Sequence, residues 1–366
     1  MARVILRPLV DRFFLPSNYL QTRMTTTTRI GVQGFGLLGR SLFRLSLDRP
    51  EIEIGAVAET ADPEMLRYLL QFSTLPWRYD GDVALDDGRL SVNGFSAPVV
   101  RAGCAGEAPW ADLGVTTVVD FRDTQPTRSE LEGHLAAGAE RVVLCAPPGG
   151  ELDRTVVVGL NEDRIEPSDR IVSAGSFTAH CVGPLLRILD GAFGVEQAFI
   201  SSVRAYGAGS RLADVPAPEP RKGRAAGENI IPAATGAAEE LATVLPELGG
   251  KLSASAMDVP VSNGSVVDLV CWHRDAVTVD SVNDAVAAAA GGEWNGRLRF
   301  EREAIVSADT VGSRATCIFD SQATMTLGEH VSKTIAWFDN GWGYLHRLVE
   351  LLAVLDGAAG AQGDDS

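Results

Sequence analysis

Apolar and polar positions alternate in a telling order from residue 29 onward. In RIGVQGFGLLGRSLFRLSL, residues 29–47, a short apolar run at 30–32 precedes three spaced glycines. The segment after the glycines repeats its apolar residues at helical intervals, which predicts a strand, a tight turn and an amphipathic helix. A second strand is predicted in EIEIGAVAE, ending at Glu59. Further strands are expected at 116–120 (TTVVD) and 141–146 (RVVLCA), with the helical stretch ELEGHLAAGA between them. This strand–helix–strand rhythm predicts a mostly parallel sheet. After residue 173 the apolar runs lengthen, as in QAFISSVRAY and GSVVDLVCWHRD, and alternate with helical segments. A second, mixed α+β domain is expected there. Residues 213–227 are rich in proline, glycine and charge without periodicity, which predicts a loop. The last ten residues, GAAGAQGDDS, are expected to be a disordered tail.

The glycines carry the first chemistry. Gly34, Gly36 and Gly39, with Phe35 inside the turn, fit G-x-G-x-x-G between a strand and a helix. That spacing permits a tight turn, close approach of a pyrophosphate and close helix–strand contact. Glu59 lies at the end of the next strand, where a carboxylate accepts from both ribose hydroxyls of NAD and repels the 2′-phosphate of NADP. An α/β fold with an N-terminal Rossmann-type dinucleotide-binding domain follows, with NAD as the expected cofactor.

Length, charge and cysteine usage narrow this further. At 366 residues and 45% hydrophobic, the chain suits two cored domains. No apolar run is long enough to span a bilayer. The net charge of −16 argues against nucleic acid as a partner. Five scattered cysteines, odd in number and without C-x-x-C pairing, fit reduced thiols in the cytoplasm. Neither they nor the five histidines show metal-ligand spacing, so no metal is expected. Residues 1–23 form a basic extension, with Arg3, Arg7, Arg12 and Arg23 against the single acid Asp11. Charges interrupt its apolar residues, so it does not fit a signal peptide, and Met24 is the expected true start.

Beyond the extension, the chain resembles glyceraldehyde-3-phosphate dehydrogenases along nearly its whole length. The motifs that carry the resemblance are RIGVQGFGLLGR, GAERVVLCAP, VVGLN, GRAAGENIIPAATGAA, the SVVDL segment and WFDNGWGY, in family order. The resemblance implies a Rossmann domain over 24–172, a catalytic and oligomerisation domain over 173–338, and a helix over 339–356 returning to the first domain. It also implies a homotetramer with the loop around 207–229 at a subunit interface. Asn340 and Tyr344 resemble the family's contacts to the nicotinamide.

The chemical positions depart from the family. Its S-N-A-S-C-T-T-N-C motif is here Ser173-Ala174-Gly175-Ser176-Phe177-Thr178-Ala179-His180-Cys181, so the nucleophile's position holds a benzyl group. The histidine base aligns with Arg204, whose guanidinium stays protonated. The substrate-phosphate arginine aligns with Asp258. Thr235 and Gly236 resemble the retained phosphate-binding pair; with Ser176, Thr178, Arg204 and Asp258 they make up the expected substrate side. Asp258 there should repel phosphorylated sugars and accept neutral or cationic ligands. His180 is the candidate proton donor for a carbonyl or imine reduction. Ser176 has no base identifiable near it in sequence, and Cys181 reads as a packed thiol.

On the cofactor side, Leu37 replaces a family arginine. Phe121 and Arg122 are bulky where the family keeps small residues; Arg122 either replaces the lost charge or obstructs the site. Two functions fit: an NAD-dependent oxidoreductase acting on a small non-phosphorylated substrate without a thioester, and a non-catalytic scaffold, regulator or partner subunit. The departures argue against a phosphorylating dehydrogenase, which would have to use Cys181 with a shifted helix register and a new base.

Overall fold

A computed structural model of the chain describes residues 27–75 and 78–363. The basic extension over 1–23 lies outside the described residues.

The first sheet is built on the strand Thr28–Gln33, whose residues are almost all buried. It pairs in parallel with Ile52–Glu59 on one side and with Thr117–Asp120 on the other. Arg141–Leu144, Ile171–Ser173 and Arg154–Thr155 extend the parallel array outward from Thr117–Asp120. On the far side Phe95–Arg101 joins Ile52–Glu59 in parallel and then carries two antiparallel hairpin strands. The chain therefore first builds to one side of Thr28–Gln33 and then to the other. Crossover connections with helices on the faces produce such a sheet, and ligands bind at the carboxyl ends of the strands where the order reverses. Here those ends are Gln33 and Asp120.

The second sheet has seven strands in mixed orientation. Val195–Ala205 pairs in parallel with Leu252–Val259 and antiparallel with Ser265–His273. One face is covered by the helices Phe177–Phe193 and Val279–Gly291, which bury Leu185, Leu189, Val282 and Val286 against Val267 and Leu269. Every second residue of Ser265–His273 is buried, the signature of a sheet with one face in the core.

The final helix spans Trp342–Gly363 and returns to the first sheet, burying Leu345, Leu348, Leu352 and Leu355 in its core. The expected disordered tail from residue 357 is corrected by this: the helix continues to Gly363. The loop over 213–227 also contains one helical turn, Pro220–Gly223, and an ion pair between Arg224 and Asp214 at 3.0 Å.

Candidate active site

The glycine turn sits at the reversal point of the first sheet. Gly34 has φ +87°, a backbone conformation that side chains disfavour. A Cβ at Gly39 would collide with the Gly34 carbonyl, so the helix Leu37–Ser46 can cross the strand end only with glycine there. At Gly36, which caps that helix, a Cβ would meet no atom within 4 Å, so the approach to the first helical N–H groups is open. A helix N-terminus with open N–H groups suits a pyrophosphate.

Glu59 is held beside the turn. Its carboxylate accepts the Phe35 backbone N–H at 2.8 Å and the Thr60 N–H at 2.7 Å. Partial burial raises its pKa, but these bonds and one from the Ala61 backbone outweigh burial and hold it below the usual range. A fixed, ionised acceptor at this strand end fits a ribose diol.

Arg122 lies beside Gly34, with its guanidinium turned to Asp120. Its guanidinium donates to both carboxylate oxygens of Asp120, to Oδ2 at 2.6 Å and to Oδ1 at 3.0 Å, and to the Gly103 carbonyl at 3.3 Å. Asp120 is fully buried and also bonds His134 Nε2 at 3.2 Å. Trp110 Nε1 donates to His134 Nδ1 at 3.0 Å, which leaves the proton on Nε2 and makes that nitrogen the donor to Asp120. Arg122 is thus part of a buried charge network, and Phe121 packs against the first core.

The second half of the site is a cavity of about 870 Å³ on the other side of the helix start at Phe177. Ser176, Thr178, Arg204, Thr235 and Gly236, all expected on the substrate side, line it together. Two helix starts converge there, Phe177–Phe193 and Ala237–Val244. Asp258 does not line the cavity; it stands one strand over from Arg204, and the Arg204 guanidinium donates to it at 3.0 Å.

Glu240 is the residue that sequence reasoning missed. Its two carboxylate oxygens accept from the Ser176 backbone N–H at 2.6 Å and from Ser176 Oγ–H at 2.5 Å. Burial pushes its pKa up, against the lowering effect of the Ser176 bonds. The expectation that Ser176 lacks a nearby base is therefore corrected. The only local signal is an acid pair, Glu239 and Glu240, in the first turn of a helix, which usually marks macrodipole complementation.

Two expected residues fall elsewhere. His180 is 2% exposed and does not line the cavity. Its Nε2 lies 3.0 Å from the Ala174 carbonyl and donates to it, while burial and the Arg347 and Arg297 charges push its pKa down to about 4. It is a neutral, core-facing imidazole rather than a proton donor to a substrate. Tyr344 is also 2% exposed. Its hydroxyl donates to the Gly175 carbonyl at 3.1 Å, and its ring meets Phe177 edge-on at 4.7 Å and His180 at 5.5 Å. The expected contact to a nicotinamide ring is not available to it. Asn340 is better placed: Ser265 Oγ donates to its side-chain oxygen at 2.7 Å, which orients its amide nitrogen as the remaining donor. Cys181 is fully buried beside Cys317, and burial raises its pKa well above that of an ordinary thiol.

Known families match both halves. The model of the glyceraldehyde 3-phosphate dehydrogenase NAD binding domain covers residues 28–124, and that of the C-terminal domain covers 176–340. A glyceraldehyde-3-phosphate dehydrogenase of Geobacillus stearothermophilus is 38% identical over 328 residues, covering 89% of this chain and 98% of the relative. One from Streptomyces coelicolor is 39% identical, covering 89% of this chain and 97% of the relative. A Bacillus subtilis relative, glyceraldehyde-3-phosphate dehydrogenase 1, is 37% identical with 89% and 98% covered. With a glycine turn and an ionised Glu59 built to receive NAD, and with these matches along both domains, the chain belongs to the glyceraldehyde-3-phosphate dehydrogenase family of NAD-binding oxidoreductases.

Proposed function

We propose that this protein is an NAD-dependent oxidoreductase for a small non-phosphorylated substrate, working without a cysteine thioester, and not a phosphorylating glyceraldehyde-3-phosphate dehydrogenase. The observation that carries this reading is Phe177, a side chain without a lone pair, fixed edge-on against Tyr344 where the family resemblance sets the nucleophile. NAD, when bound, supplies or accepts a hydride. The chain's own part is to seat the dinucleotide on the Gly36 helix start and Glu59, and to hold the substrate in the cavity beside Thr178 and Thr235. Arg204, tied to Asp258, orients a ligand by hydrogen bonding but takes no proton. With His180 buried, proton exchange in the cavity falls to its carboxylates, among which Glu240 is the one bonded to Ser176. We place the protein in the cytoplasm on its free cysteines. We also propose that it forms a homo-oligomer, a tetramer by family resemblance, supported by exposed Leu212 and Ile230 near the expected interface.

The test is calorimetric titration with NAD⁺ and NADH, followed by a screen of neutral and cationic aldehydes, ketones and imines for NADH oxidation. Micromolar binding with turnover of a non-phosphorylated compound supports the reading. NADH formation from glyceraldehyde 3-phosphate with inorganic phosphate overturns it. The burial of His180 favours one second reading, a non-catalytic family member that binds NAD as a structural ligand. Binding without turnover across the screen, with co-purification of a partner, would select that reading.

A further inference from the structure

We propose that Glu240 is the residue that bars phosphate from the cavity, its carboxylate acting as a resident anion on donors that would otherwise hold phosphate oxygens. This rests on the cavity being the substrate side of the proposed site, and it narrows the ligand to neutral or cationic polar molecules.

The cavity has the parts of an oxyanion seat. Ser176 offers a backbone N–H and a hydroxyl, and Thr178 and Thr235 bring two more hydroxyls to the same lining. An external dianion placed there would find backbone and hydroxyl donors at short range. The carboxylate of Glu240 has taken both Ser176 donors, one per oxygen. The serine hydroxyl accepts from the Ala179 N–H at 3.1 Å, so its direction is fixed and its one proton is committed to Glu240. Glu240 is supplied by a different helix, Ala237–Val244, whose own start borders the cavity at Gly236. Its reach across the cavity is therefore tertiary and not a local helix cap.

Two consequences follow for an incoming phosphate. It loses the Ser176 pair as donors, and it meets a negative charge within contact distance in a poorly solvated wall. Two of the three lining cations are committed to acids: Arg204 to Asp258, and Arg154 to Asp169 at 2.5 Å, which leaves the exposed Arg164 as the remaining cation. A neutral hydroxylated ligand suffers no such repulsion, and an amine gains from Glu240.

Thermal melting and calorimetry with inorganic phosphate test this on the full chain, in the wild type, Glu240→Ala and Glu240→Gln. NAD⁺ is titrated into each protein in parallel. The expected result is no cavity binding by the wild type. Glu240→Ala should bind phosphate at least roughly tenfold more tightly, with a rise in Tm on the order of 2 °C at saturating phosphate. Glu240→Gln, which keeps the volume and frees one donor, should show a smaller gain and serves if the alanine variant does not fold. Adding Thr235→Val to the responsive variant should reduce the gain. Phosphate binding by the wild type that Thr235→Val weakens overturns the proposal. So does a folded Glu240→Ala or Glu240→Gln protein without gained affinity, or a gain indifferent to Thr235→Val. Failure of NAD⁺ to bind the wild type would sink the oxidoreductase reading and leave this one standing.

Discussion

Arg204 and Asp258 are Cα partners on adjacent parallel strands, and the Arg204 guanidinium donates to the Asp258 carboxylate at 3.0 Å. By family resemblance these are the positions of the catalytic base and of the substrate-phosphate arginine. The two side chains here are a cation and an anion that satisfy each other. Both side chains are nearly a third exposed, at 29% and 28%, so the pair is worth at most about 0.5–1 kcal/mol. A double-mutant cycle with Arg204→Ala and Asp258→Ala, read by urea unfolding, should return a coupling of that size.

Restoring the thiol alone should not restore the family reaction. Phe177→Cys places a sulfur at the helix start but leaves Arg204 without a lone pair to take its proton. The variant is expected to form no NADH from glyceraldehyde 3-phosphate and phosphate. Only a combination that adds Arg204→His, Asp258→Arg and Glu240→Ala, which frees the Ser176 donors, should give a measurable rate.

Glu59 ties the cofactor seat to folding. Glu59→Ala should weaken NAD⁺ about tenfold or more in calorimetry, because charge-assisted bonds to a ribose are worth about 1.5–3 kcal/mol. It should also lower Tm, since the Phe35 and Thr60 N–H groups lose their acceptor.

Arg122→Met separates structure from binding. The substitution leaves Asp120 buried with only His134 and the backbone N–H of residue 122, and removing the cation of a buried pair costs about 3–5 kcal/mol. The unfolding midpoint should fall sharply. NAD⁺ affinity of the protein that remains folded should change by less than about threefold, because Arg122 is committed to Asp120.

His180 predicts an acid sensitivity. Its pKa is about 4 in the folded protein against 6.5 as the ordinary value, because burial disfavours the imidazolium. Between those values the unfolded chain binds the proton and the folded chain does not, so stability is complete above about pH 6.5 and falls as pH drops toward 4. The full contribution is about 3 kcal/mol. Unfolding midpoints at pH 7.5 and pH 5 should differ more in the wild type than in His180→Gln.

Much of this protein is written locally. The strand–glycine–helix run at 29–47 forms as expected because Gly34 and Gly39 satisfy backbone demands within the turn itself. Glu59 ends its strand because the apolar run ends there. That residue 177 is not a thiol and residue 204 not an imidazole is a matter of identity and needs no coordinates. What tertiary structure decided is which side chains meet. Strand register joins Arg204 to Asp258 across 54 residues, and the packing of two helix starts brings Glu240 to Ser176 across 64. Core packing turns His180 and Tyr344, both polar and both legible as site residues, away from the cavity into the seam between the domains' cores. No periodicity records these outcomes, because hydrogen bonding and burial depend on distances between segments that the chain brings together only when it folds.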